Sequence, residues 1–392
     1  MFSPLIILSI ITLTLIMIGG VEYFRHKQVL GLLPLRIHIN GTRGKSSVTR
    51  LVAAGLRAGG LKTYAKTTGT APRVIDPKGR DRIIHRLRSP SIGEQVRLLK
   101  YFAQDKPDAV VLECMAVQPQ YQWISEQEMV RSHIGVITNV RPDHVDEMGQ
   151  TLSDIASSLS NTIPRQGVFI SGEESVITIF DEVAQKRQTR VVKVNESEIG
   201  DDILDQFSYM EHPQNIALAL AVCEQAGIER TIALDGMVNV SPDLGALVAW
   251  KLDFSDRSVS FINGMAANDP VSTLTIWNYI SGRFSWNGES CVFLNTREDR
   301  RTRSRQLLSL VMEEIKPDYF IIRGENLEKM VSHLKHYSPN THVIMIHSQD
   351  TVKAVSNAFS NLSDDSLIYA MGNQVGFGQE LVDHIKIYRH HG

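Results

Sequence analysis

The sequence predicts an α/β protein of two lobes, each built on a parallel sheet covered by helices, behind one membrane-spanning helix at the N-terminus. Three observations predict it. Short β-rich runs alternate with helical spacing along most of the chain. A glycine-containing turn with a lysine and two serines joins the first of these strands to the helix that follows. An uncharged apolar run of spanning length opens the chain. The chain has 392 residues and is 43% hydrophobic. Single cores stop growing near ~250 residues, so two are expected.

Taken in order, Met1 to Val21 holds no charged residue, and Leu5 to Ile18 is almost continuously apolar. About 20 such residues cross a bilayer as a helix. A cleaved signal would carry its positive charge ahead of the apolar core, whereas Arg25, His26 and Lys27 follow it. Cations on that side favour a cytoplasmic body. The expected divisions are an anchor over 1–22, a short basic linker over 23–34, a nucleotide-binding domain over 35–240 and a second α/β domain over 241–392.

Leu35 to Ile39 reads as a buried strand and Ser46 to Ala58 as a helix. Ala109 to Leu112 and Ile134 to Thr138 read as further strands. Helical spacing covers Ile92 to Ala103, Leu152 to Leu159 and Asn215 to Ala226, the last closed by Gly227. The second series has strands at Ser258 to Ile262, Cys291 to Leu294, Tyr319 to Ile322, His342 to Ile346 and Leu367 to Ala370.

Composition narrows function. A net charge of -2 with 21% charged residues excludes a general nucleic-acid binder resting on a large basic surface. Cys114, Cys223 and Cys291 are far apart and form no Cys-x-x-Cys pair, so neither a disulfide framework nor a zinc site is signalled, and core packing is expected.

The strongest chemical signal is Asn40-Gly41-Thr42-Arg43-Gly44-Lys45-Ser46-Ser47, between a buried strand and a helix. Glycines let backbone N–H groups approach phosphate oxygens, and the helix N-terminus adds a favourable dipole. Lys45 can neutralise terminal phosphates, and a serine hydroxyl can ligate magnesium. The full Walker pattern would place glycine where Ile39 stands.

Glu113 directly follows the strand Ala109 to Leu112, at the end where ligands gather in open α/β sheets, and could hold magnesium. Asn139-Val-Arg-Pro-Asp143-His144 follows another strand and offers an amide, a carboxylate and an imidazole. Alone, each is an ordinary solvated loop; together with the phosphate loop they point to a nucleotide and metal site. Three later groups sit where loops can line a cleft: His212-Pro-Gln-Asn215, Asn263-Gly-Met-Ala-Ala-Asn268-Asp-Pro270 and Arg297-Glu-Asp299-Arg300. Asn215 could bond a base; Arg297 and Arg300 could pair with carboxylates or phosphates, or form a solvated basic turn.

In this order the motifs resemble the Mur ligase and folylpolyglutamate synthase superfamily: the loop at Gly41 to Ser47, Lys66 to Thr70, Glu113, Asn139 to His144 and His212 to Asn215. Further phrases resemble the ligase subunit of poly-gamma-glutamate synthases, the PgsB/CapB type. They are Ser91 to Gln95, Leu112 to Gln122, Asn263 to Leu274 and Asn295 to Arg300, with the apolar N-terminus.

The resemblance implies a Mur-ligase-like ATP-binding domain, a smaller Rossmann-like C-terminal domain and an ATP-dependent, ADP-forming amide ligase. It implies that glutamate is polymerised through γ-linked bonds by way of an acyl phosphate. Mg2+ is the implied metal, with Mn2+ as its substitute. Implied partners are glutamate, γ-glutamyl chains, the membrane and other synthase subunits, with no nucleic acid. By family position, Gly41, Thr42, Arg43, Gly44, Lys45, Ser46, Ser47, Asn139 and Asn215 would bind nucleotide, Asn215 facing adenine. Arg297 and Arg300 would complete the binding set. Lys45, Glu113 and His144 would be catalytic, with Ser46, Glu113 and His144 on metal. Two departures stand out. Thr151 to Gln185 contains no lysine to serve as the extra metal ligand of many Mur ligases, and Pro242 to Gly245 stands where several carry Gly-Arg-x-Glu. Another Mur-like amino-acid ligase, or a membrane-tethered ATPase without ligase chemistry, would carry the same phosphate loop.

Overall fold

The computed structural model describes residues 4–68, 72–86, 91–207, 209, 211–240, 248–265, 267, 269–332 and 336–389. The chain divides into two compact units, Met1–Ser208 with His212–Asp243, and Tyr209–Glu211 with Leu244–Gly392. The division expected after residue 240 and the segment Pro242 to Gly245 fall outside the described residues.

The first helix, α1 (Pro4–Gly31), is long and apolar enough to cross a membrane, and its apolar stretch is not buried by protein. It runs without a break through residues 23–31, which the sequence assigned to a linker, because no proline or glycine interrupts Glu22 to Leu30. Its last turns dock on the body. His26 Nε2 lies 2.7 Å from the Met129 carbonyl, and Leu30 is buried. Arg36 donates to the carbonyls of Leu30 and Leu33, both at 2.8 Å, and to those of Val130 and Arg131. One guanidinium thereby satisfies carbonyls left over at two helix ends.

The first unit holds an eight-stranded sheet. Its strands are β1 (Leu35–Asn40), β2 (Thr63–Thr67), β3 (Arg73–Ile75), β4 (Asp81–Ile83), β5 (Ala109–Glu113), β6 (Ile134–Ile137), β7 (Val168–Ser171) and β8 (Arg190–Lys193). The order is β4-β3-β2-β5-β1-β6-β7-β8. Pairing is parallel from β2 to β8, while β3 and β4 add an antiparallel edge that periodicity did not reveal. Three-residue strands with exposed charged positions carry too little apolar alternation to read.

β1 lies in the middle, between β5 and β6, and is buried over Ile37 to Asn40. Helix α2 (Lys45–Ala58) starts where β1 ends and is buried from Val48 to Leu56. It is covered by the sheet and by α5 (Pro213–Gln225) and the helix Arg230–Val238. Between these in sequence come α3 (Gly93–Gln104) and α4 (Pro119–Ile124), the latter widening into a π-helical turn over Ser125–Val130.

The second unit holds β9 (Val248–Phe254), β10 (Arg257–Asn263), β11 (Ser290–Asn295), β12 (Tyr319–Gly324), β13 (His342–His347) and β14 (Leu367–Gly372), in the order β13-β12-β11-β14-β10-β9. All pairs are parallel except β9 with β10. Alternate residues of β11 feed two cores: Cys291 and Phe293 pack with Phe261 and Phe359, while Val292 and Leu294 pack with Phe320 and Tyr369. Both faces of this sheet are therefore covered, as parallel sheets require. The three cysteines are free and buried, in keeping with a packing role.

Candidate nucleotide and metal site

The loop after β1 is shaped by two glycines in left-handed backbone. Gly41 has φ 131° and Gly44, the cap of α2, has φ 79°. A Cβ on Gly41 would lie 2.0 Å from Thr138 Oγ1, and one on Gly44 would lie 2.6 Å from Asn215 Oδ1. Only glycine satisfies both the dihedral angles and the space. The loop joins the carboxyl end of β1 to the N-terminus of α2, an arrangement suited to phosphate.

Lys45 folds back over this loop and donates to the carbonyls of Gly41 at 2.6 Å and Thr42 at 3.2 Å. Ser46 Oγ donates to Glu113 Oε2 at 2.8 Å. Thr68 donates to the same carboxylate from its backbone N–H at 2.7 Å and from its hydroxyl to Oε1 at 2.5 Å. Glu113 ends β5 beside Ile39 of β1 and is only 3% exposed. The Ser46–Glu113 pair read from the motifs is thus brought together.

Asn139 braces the phosphate loop from below. Its side-chain oxygen accepts from Thr42 Oγ1 at 2.7 Å and from the Arg43 N–H at 3.0 Å, and its amide donates to the Arg43 carbonyl at 3.1 Å. Thr138 Oγ1 donates to that same carbonyl at 2.5 Å. Asn215, at the start of α5, packs against Gly44 and is buried. Ser47 occupies the first turn of α2. Arg43 reaches towards Asp143, Nη2 to Oδ2 being 3.8 Å.

His144 sits in left-handed backbone (φ 45°) as the cap of the short helix Val145–Met148, and its side chain is half exposed. Its ring nitrogens lie 4.0 Å from Asp143 and 3.9 Å from Glu147. Among the described residues, no three His, Cys, Asp or Glu side chains converge in a metal-holding group. Arg297 and Arg300 belong to the second unit, just beyond β11, where both line a cavity of about 140 Å³ with Asn295 and Gly372.

Behind Glu113 lies an ionic cluster that motif reading missed. Lys66 of β2 is fully buried, with Nζ 3.0 Å from Glu94 Oε1. Arg86 holds Glu94 through Nε at 2.7 Å and Nη2 at 3.0 Å. Burial opposes ionisation of Glu94, but Arg86 and Lys66 outweigh it and hold the pKa at about 2. Burial pushes the Lys66 ammonium the other way, below its usual range. Gln95, next to Glu94 on α3, donates to the Glu113 carbonyl at 3.1 Å. The available signal was the pairing of Lys66 and Glu94 within two phrases already noticed for their resemblance.

A second buried pair lies under β1. His38 Nδ1 is 2.7 Å from Glu126 Oε2 on the π-helical turn, and Glu126 Oε1 accepts from the Ser132 N–H and hydroxyl, each at 2.9 Å. Burial alone would lower the His38 pKa; Cys114 and Glu126 outweigh it and raise it to about 10.

The profile described as Mur ligase middle domain matches residues 39–250, and that described as Poly-gamma-glutamate synthase CapB C-terminal domain matches residues 249–387. The chain is 37% identical to the capsule biosynthesis protein CapB of Bacillus anthracis, covering 98% of this chain and 83% of that protein. It is 35% identical to the PGA synthase CapB of Bacillus subtilis (strain 168), covering 98% of both. The chain belongs to the CapB family. CapB membership places it among the ATP-dependent amide ligases of the Mur type.

Solved structures agree on the fold. The Escherichia coli FolC structure with ADP aligns at TM-score 0.66 with 16% identity over 93% of each chain. The Yersinia pestis folylpolyglutamate synthase/dihydrofolate synthase with AMPPNP and Mn aligns at 0.63 with 14% identity over 93% of this chain and 92% of that one. Within this chain, the two matches meet at β9, the antiparallel strand that opens the C-terminal sheet.

Proposed function

We propose that this chain polymerises glutamate through γ-linked amide bonds, using ATP to activate a γ-carboxylate as an acyl phosphate that the amine of another glutamate unit attacks. The observation that carries the reading is the convergence of Ser46 and Thr68 on the buried Glu113 beside the Lys45 loop, in a chain of the CapB family. In the first step the β–γ P–O bond of ATP breaks as a carboxylate O–P bond forms and ADP leaves; in the second the C–N bond forms as the acyl C–O bond breaks, phosphate leaves, and the amine gives up one proton to solvent or phosphate.

The residues fit a magnesium-bound nucleotide. Magnesium is usually held by one or two carboxylates together with substrate phosphates, and Ser46 with Glu113 supplies such a set. When bound, the ion would neutralise charge on the transferring phosphoryl group. Gly41 to Ser47 would wrap the phosphates with backbone N–H groups, and Lys45 would exchange its loop carbonyls for phosphoryl oxygens. Asn139 would keep that loop in shape, and Asn215 would lie at its far side towards the base. His144 has no set of converging ligands among the described residues, so no step is assigned through a second metal.

The apolar length of α1 supports a single-pass anchor, and Arg25, His26 and Lys27 after the apolar run support a cytoplasmic body; membrane subunits that carry the polymer across would lie beside it. Phosphate release by the full-length protein in Mg2+, measured with and without glutamate or short γ-glutamyl oligomers, tests the reading. Glutamate-stimulated release with an amide-linked product by mass spectrometry supports it. Release indifferent to glutamate would leave a tethered ATPase instead.

A further inference from the structure

The second unit contains a groove lined by several cations. Its volume is about 690 Å³, and it lies beyond the carboxyl ends of β11 and β12. Its cations are Arg297, Arg301, Arg305 and Lys329. Arg301 and Arg305 are four residues apart on the helix Arg301–Leu310, hence on one face, and Lys329 approaches from the helix Leu327–Ser332. Glu298 and Glu325 share the rim, but Glu298 is engaged by Arg301, and Glu325 accepts from Ser348 Oγ at 3.1 Å. Arg305 and Lys329 make no ion pair among the described residues, and both are exposed. The groove therefore keeps an excess of exposed positive charge on a chain whose net charge is -2.

We propose that this groove holds the γ-glutamyl chain itself, pairing successive free α-carboxylates with Arg305 and Lys329, beside the Arg301–Glu298 pair. The proposal rests on the glutamate-ligase reading above. A γ-linked glutamate advances by five backbone bonds, roughly 6 Å when extended, and the odd number turns successive α-carboxylates to opposite sides of the chain, so one can meet Arg305 on its helix and the next Lys329 on the other. A single glutamate offers no such repeat. The groove thereby distinguishes polymer from monomer, and a chain retained there between additions grows longer before release.

The test uses full-length protein carrying Arg305→Gln with Lys329→Gln, beside the charge-conserving Arg305→Lys with Lys329→Arg. Binding of a fluorescently labelled γ-glutamyl oligomer is read by anisotropy at several salt concentrations, without turnover. Two exposed charge pairs removed should weaken oligomer binding about tenfold and flatten its salt dependence. Affinity for ATP, the melting temperature and phosphate release with free glutamate should not change, products should shorten, and the charge-conserving pair should bind as wild type does. Unchanged oligomer affinity in the folded Gln variant, or no oligomer binding by wild type, overturns the groove. An equal loss of affinity for ATP assigns it to nucleotide and also overturns it. Wild-type protein that binds oligomer but shows no glutamate-stimulated release sinks the ligase reading and leaves the groove standing.

Discussion

Thr68 grips the Glu113 carboxylate twice, once from its backbone N–H to Oε2 and once from its hydroxyl to Oε1, while Ser46 holds Oε2 from the other side. Three donors therefore fix the orientation of the carboxylate. Preorganisation of this kind is worth most in a buried site, where reorientation would have to occur without water.

Thr68→Val removes one of these donors and leaves the backbone bond. Turnover is expected to fall by about tenfold, with a raised Mg2+ requirement, since one charge-assisted hydrogen bond is worth ~1.5–3 kcal/mol. Magnesium titration of initial rates checks this; an unchanged midpoint and rate would mean that Glu113 does not serve the metal.

Lys45→Ala should lower turnover by at least ~100-fold, the usual cost of removing a preorganised stabilising group, with little loss of stability. Among the described residues the side chain bonds only loop carbonyls, so no buried partner there is orphaned. Steady-state kinetics alongside a melting curve separates the two effects, and retained activity would remove Lys45 from the site.

Glu94 dictates an acid-stability limb. Its pKa is held at about 2, below the ordinary 4.5, so its stabilisation is complete above the ordinary value and is lost as pH falls through about 2. Melting temperature should therefore fall over that window. Glu94→Gln should flatten the limb and cost ~3–5 kcal/mol by leaving Lys66 buried without its carboxylate. Chemical denaturation from neutral pH to pH 2 provides both readings; a variant as stable as the parent would show that Lys66 needs no partner.

Removing residues 1–20 should yield a body that leaves the membrane fraction and melts as the full chain does. Removing residues 1–33 should destabilise it by several kcal/mol, because Leu30 and Leu33 are buried and Arg36 would lose two of its carbonyl acceptors. Carbonate extraction and calorimetry of the two truncations decide it. Equal stability would mean that α1 is tethered to the body without contributing to it.

Much of the site could be read from the chain because its determinants are local. A strand, two glycines, Lys45 and Ser46 lie within a dozen positions, and backbone chemistry alone makes them a phosphate loop. The strands β3 and β4 escaped notice because three residues do not establish a period.

The sequence by itself determined the alternation of strands and helices, the loop after β1, the strand-end placement of Glu113 and the apolar helix, since each depends on neighbours along the chain. Only the tertiary structure decided the partners of the buried charges. Glu94 met Lys66 and Arg86, His38 met Glu126 across 88 positions, and Thr42 met Asn139 across 97. It also gathered Arg301, Arg305 and Lys329 around one groove. A buried charge must find its counter-charge wherever folding brings one, and no local pattern records that choice.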